Sequence, residues 1–168
     1  MNIRNKFFLG LGLIFLISIM HGCGVTANQD NNENIDKVNI YSNNDEIIQE
    51  ENNYTYRTYG DSIKNNEIEI KYSGFSGLET ICFLEVSEDT EITFNYDSTV
   101  DNGKFKEVVI NPKNEVENIV EGTDQSSKTI KLTKGKYSLK NVGANADGKI
   151  KINISSNSDV KITRDKKK

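Results

Sequence analysis

The chain has very few of the residues on which enzymes most often build a site. Its 168 residues include one histidine, one proline, two cysteines, two methionines and no tryptophan. The histidine is His21, at the end of an apolar leader. Beyond it no imidazole remains for a Ser-His-Asp or Cys-His mechanism, or for a histidine-ligated zinc. Two cysteines, Cys23 and Cys82, cannot supply a disulfide framework. Long apolar runs are missing outside residues 7–20, and the mean hydropathy of -0.59 excludes a bundle of membrane helices. No basic excess or nucleic-acid motif is present, since 25 acids outnumber 21 bases.

What is present begins with a leader. Arg4 and Lys6 precede an apolar stretch from Phe7 to Met20, and the small residues Gly22, Cys23 and Gly24 follow. That is the build of a signal peptide, too short to remain as a spanning helix. Cleavage before Cys23 would remove His21, Arg4 and Lys6, so 21 bases become 19 against 25 acids and the net charge moves from -4 to -6. Val25-Thr26-Ala27 offers a second, ordinary secretory cut.

Three segments are expected: a signal peptide over 1–22, an acidic Asn-rich tether over 23–65, and a folded domain over 66–168. The tether is polar and repetitive, as in Asn-Gln-Asp-Asn-Asn-Glu-Asn at 28–34, and its few apolar residues cannot offset the entropy of ordering it. It is therefore expected to be disordered, with at most transient structure at Val38–Tyr41 and Glu46–Gln49.

After residue 66 the pattern acquires a period of two. Glu67 to Tyr72, Glu91 to Tyr96 and Lys149 to Ile154 each alternate polar and large apolar residues, which predicts half-buried strands. Thr80 to Val86 and Val108 to Ile110 are apolar on both faces and predict covered strands. Further strands are expected at 115–120, 129–132, 136–142 and 160–163. Turn signals stand between them at Ser73-Gly74, Glu88-Asp89, Asp101-Asn102-Gly103, Asn111-Pro112, Lys134-Gly135 and Asp147-Gly148. Two of these, Asp101-Asn102-Gly103 and Lys134-Gly135, read as hairpins. No helical period is evident. The pattern predicts an all-β fold, an antiparallel β-sandwich or open barrel of about 7 to 9 strands, of which the sandwich is preferred.

Met20-His21-Gly22-Cys23 resembles the lipobox of bacterial lipoproteins. The resemblance implies that Cys23 receives a diacylglycerol thioether and becomes the first residue of the mature chain, anchored on the outer face of the cell membrane. From Lys128 through Gly135-Lys136-Tyr137 and the small-residue stretch 143–148 to Ile154, the chain resembles the closing strands of secreted jelly-roll domains of the pre-peptidase C-terminal type. Together these features resemble the small lipoproteins of Gram-positive bacteria, and imply a jelly-roll-like sandwich displayed outside the cell.

Candidate chemistry is sparse. Carboxylate catalysis needs two acids in one cleft. Glu67 and Glu69 read as solvent-facing, Glu79 and Glu85 as guards near strand ends, so no catalytic residue is assigned. The acids at 88, 89, 91, 97 and 101 lack the spacing of a calcium loop, and no metal or cofactor is expected. Cys82, between Ile81 and Phe83, reads as a core thiol. Tyr54, Tyr56 and Tyr59 with Arg57 form an aromatic group outside the sheet pattern, either a ligand-binding surface or a first strand that seals the sandwich. Lysines at 128, 131, 134, 136, 140, 149 and 151 could face anionic polymers, or could be solvated and paired with acids. The reading is a lipid-anchored, extracytoplasmic, non-catalytic binding module for a cell-envelope polymer or surface protein. The alternative is a structural or inhibitory module that pairs through strand edges.

Overall fold

The computed structural model describes residues 36–64 and 66–165. Among these, eight strands form one antiparallel sheet: β1 (Asn53–Thr55), β2 (Thr58–Lys64), β3 (Glu67–Val86), β4 (Thr90–Ile110), β5 (Val116–Glu121), β6 (Asp124–Leu132), β7 (Gly135–Ser156) and β8 (Val160–Arg164). Three are unusually long and lie side by side in the order β3, β7, β4. The free side of β3 carries β2 along its first half, then β1, then β8. The free side of β4 carries β6 along its first half and β5 along its last.

A straight strand of such length would run roughly 65 Å and could not share one compact core. The long strands bend instead, all at the same level. Register breaks fall at Tyr72/Phe75 and Phe75/Gly77 in β3 and at Val100/Asn102 and Asn102/Lys104 in β4. The corner of β4 needs Gly103, whose φ of 71° is left-handed and whose absent β-carbon would stand 2.2 Å from the Asn145 carbonyl oxygen. Bending lays the two halves of the sheet face to face. Ile68, Ile70, Phe94, Ile150 and Ile152 of the first layer share one buried cluster with Cys82, Leu84, Val109, Ile119 and Leu139 of the second. This is a sandwich whose corners are made by continuous strands.

Ser73-Gly74, Asp101-Asn102-Gly103 and Asp147-Gly148 are therefore bends inside β3, β4 and β7, not strand ends. The expected hairpin at 101–103 does not form, because the strand continues through the bend with the same partner, β7. Lys134-Gly135 joins β6, at the edge of one layer, to β7 in the middle of the sheet, and is not a hairpin either. Asp147 fastens the corner. Its carboxylate accepts from Gly74 N at 2.7 Å, Ser73 Oγ at 2.8 Å and Asn102 Nδ2 at 3.4 Å, and faces Arg57 at 3.3 Å.

The stretch expected to be a tether contributes structure from residue 36 onward. Helical turns at 36–40 and Asn44–Ile47 place Ile40, Tyr41 and Ile47 on an apolar patch formed by Leu78, Val108, Ile110 and Val142 on the outer face of the second layer. A few apolar residues in a polar text suffice once the sheet presents a patch to cover. Lys140 ties this strap down. Its ammonium donates to the Ile47 carbonyl at 3.1 Å and to the Gln49 carbonyl, and burial lowers its pKa to about 8. Strands β1 and β2 also precede the expected boundary at 66.

Candidate functional site

The tyrosines of the aromatic group pack onto the core cluster from the β3 edge. Register with β3 places Tyr54 opposite Gly77 and Tyr59 opposite Tyr72. Tyr56 lies between them. Its ring stacks on Phe75 at 4.5 Å and meets Tyr54 at 5.3 Å and Tyr59 at 4.7 Å. Its hydroxyl donates to Glu79 Oε2 at 2.6 Å, and burial, followed by the Glu79 charge, drives the phenol well above its ordinary range. Tyr56 belongs to the seal. Tyr54 and Tyr59 keep half-buried rings, and the Arg57 side chain is 70% exposed beside Asp147.

Tyr59 also lines an open depression of about 600 Å³ beside the corner of the first layer. One row of the sheet crosses it: Gly60 of β2, Lys71 of β3, Lys149 of β7 and Thr99 of β4 are successive register partners. Gly60 has nothing within 4 Å of where a β-carbon would stand, so the floor at that strand is open backbone. Thr58, Tyr72, Asp101 and Gly148 complete the lining. Lys71 and Lys149 are exposed and directly opposed. Like charges facing each other across strands destabilise a sheet by a fraction of a kcal/mol, about 0.2–1. Lys71 is steadied by Glu69 at 3.5 Å. The site thus offers two cations, two threonine hydroxyls and one carboxylate. It can bind anions and hydroxyls.

The other sequence candidates are scattered. Glu67 pairs with Lys151 at 2.8 Å and Glu85 with Lys161 at 2.8 Å, on exposed faces. Of the other lysines, Lys128 pairs with Glu117, Lys131 with Glu91, Lys136 lies over the Phe83 ring at 4.1 Å, and Lys140 holds the strap. Each of these four is engaged by a neighbouring carboxylate, ring or carbonyl. Cys82 is fully buried, and burial pushes its thiol up to about 12. Asp89 accepts from Lys134 N, and among the described residues no group of three His, Cys, Asp or Glu gathers. Cys23 lies outside the described residues.

Glu79 departs from its expected place. It is 1% exposed and faces inward, as are Glu107 and Asn141. Sequence reasoning missed the last two, yet the signal was present: Phe105, Glu107 and Val109 share one face of a strand, as do Leu139 and Asn141. The free edges of the sheet are divided among short strands, which limits any continuous edge open to pairing with another chain.

Compared by sequence, the chain matches no family model and no curated protein. Among solved structures it is similar to one described as "CBM4 structure and function", with a TM-score of 0.32 and 10% identity over 68% of this chain and 79% of that one.

Proposed function

We propose that this protein is a non-catalytic binding module that takes an anionic, hydroxyl-rich polymer of the cell envelope at the corner depression. In this reading the acylated Cys23 holds the module on the outer face of the membrane. The observation that carries it is the opposition of Lys71 and Lys149 over a floor left open at Gly60. Two lysines held at opposed register positions, at a small cost in stability, are relieved by an anion placed between them. Thr58, Thr99 and Asp101 supply hydrogen bonds to hydroxyls.

Single contacts of this exposed kind are worth about 0.2–1 kcal/mol each, so a monomer unit would bind weakly. A polymer presents many copies at high local concentration, which raises overall affinity without new contacts. The experiment is co-sedimentation with purified cell-wall material and with a neutral polysaccharide across a range of salt. Binding to the anionic material that falls steeply between 0.05 and about 0.3 M salt is expected, since the screening length shortens over that range. Equal, salt-insensitive binding to both materials, or none, rejects the proposal. The anchor is tested separately: Cys23→Ser should abolish lipid labelling and release the protein from the membrane fraction.

A further inference from the structure

Three inward-facing polar side chains stand side by side in the second layer of the sandwich. Glu79 of β3 is the register partner of Asn141 of β7, and Asn141 is the partner of Glu107 of β4. The neighbouring rows on the same face are apolar, with Leu139 and Val109 on one side and Phe105 on the other. Glu79 and Glu107 are each 1% exposed and Asn141 is 0% exposed. Both carboxyl oxygens of Glu107 and both polar atoms of Asn141 have no hydrogen-bond partner. Glu79 is oriented by the Tyr56 hydroxyl.

Buried polar atoms in folded proteins are nearly always satisfied by protein, water or an ion. An amide and a carboxyl that lack partners, aligned with a second carboxyl in an otherwise apolar interior, point to an occupant. We propose that Glu79, Asn141 and Glu107 form a buried site for a hard divalent cation of the calcium class. The donor set is all oxygen, which selects hard cations over zinc or copper. Two carboxylates against a doubly charged ion leave the interior neutral, whereas two buried carboxylates alone would be costly. Strand spacing puts the α-carbons of Glu79 and Glu107 roughly 9.6 Å apart across β7, a span that two glutamate side chains leaning over Asn141 can close onto one ion. Such an ion wants about six to eight oxygens, and water would supply those the row does not. It would clamp β3, β7 and β4 together next to their corners. The inference does not depend on what the corner depression binds.

The test begins with purified protein stripped by a chelator and dialysed against calcium. A native mass spectrum should then show one bound ion. Thermal unfolding should rise by at least about 4 °C at a hundredfold excess of calcium over Kd. Terbium should give emission sensitised by the neighbouring Tyr56 and be displaced by calcium. Glu107→Gln and Asn141→Leu should lose both the thermal shift and the emission. The site is overturned if the wild-type spectrum carries no ion and calcium leaves unfolding unmoved, which also decides the matter should the variants not fold. It is equally overturned if emission survives in Glu107→Gln, which would place the metal on surface acids, or if that variant is more stable with no calcium dependence, which would assign the row to buried water and a proton.

Discussion

The backbone of Gly143 lies against the ring of Phe75, so close that a β-carbon on Gly143 would stand 2.3 Å from Phe75 Cδ1. The two residues belong to neighbouring long strands at the level where both bend, and the missing side chain lets Phe75 occupy the inside of the corner. Tyr56 stacks on that ring, and Phe105 meets it at a tilt with the centroids 6.3 Å apart. Gly143→Ala should therefore destabilise the fold by about 1–3 kcal/mol, the usual cost of overpacking, and Phe75→Leu in the same chain should recover part of the loss. Urea unfolding of the single and double variants measures both. An unchanged midpoint for Gly143→Ala would mean that the corner is looser than the described contact.

Tyr56 joins the edge of the sheet to its interior through one hydrogen bond to the buried Glu79. Tyr56→Phe keeps the ring stack on Phe75 and removes only that donor. A loss of about 1–3 kcal/mol in unfolding free energy is expected, the cost of leaving a buried acceptor short of a partner. Tyr54→Phe, at a half-buried ring, should cost less.

Acid should loosen the corner through Asp147. The Gly74 N–H first, then the Ser73 hydroxyl, hold its carboxyl below the ordinary carboxylate range. A folded pKa below the unfolded value of about 3.9 means that Asp147 contributes stability that is complete well above that value and is lost as pH falls through the folded pKa. Unfolding midpoints recorded from pH 6 down to about pH 2.5 should fall more steeply for the wild type than for Asp147→Asn. Parallel curves would show that the hydrogen bonds at this carboxylate do not favour its charged form.

Cys82 should be silent towards thiol reagents in the native state. Burial raises its pKa to about 12, so at pH 8 almost no thiolate exists, and the sulfur is enclosed. Labelling with a chromogenic disulfide reagent should follow unfolding by denaturant. Rapid labelling of the native protein would contradict the packing of β3 against β7 and β8.

The strands were legible from alternation because burial follows parity along them: Ile68, Ile70 and Tyr72, then Ile92 and Phe94, then Ile150, Ile152 and Ile154 all lie inside. The corners were not legible. A glycine with positive φ serves a hairpin and a mid-strand bend equally well, and only the continued pairing of β4 with β7 across Asp101 to Gly103 distinguishes the two. The strap was hidden by its composition, since Ile40, Tyr41 and Ile47 gain meaning only when Leu78, Val108 and Val142 are assembled on one face. The same holds for the candidate site. Lys71 and Lys149 are far apart in the chain, and nothing short of strand register makes them neighbours.

The binding account is tested most directly by mapping amide chemical shifts while isotope-labelled protein is titrated with soluble fragments of anionic cell-wall polymer. Binding at the corner depression predicts shifts concentrated at Thr58 to Gly60, Lys71, Thr99 to Asp101 and Gly148 to Lys149, weakened at least about tenfold in affinity, or about 1.4 kcal/mol, in Lys71→Ala/Lys149→Ala. Shifts centred elsewhere, such as along β5 and β6, or undiminished binding by the double variant, would contradict it.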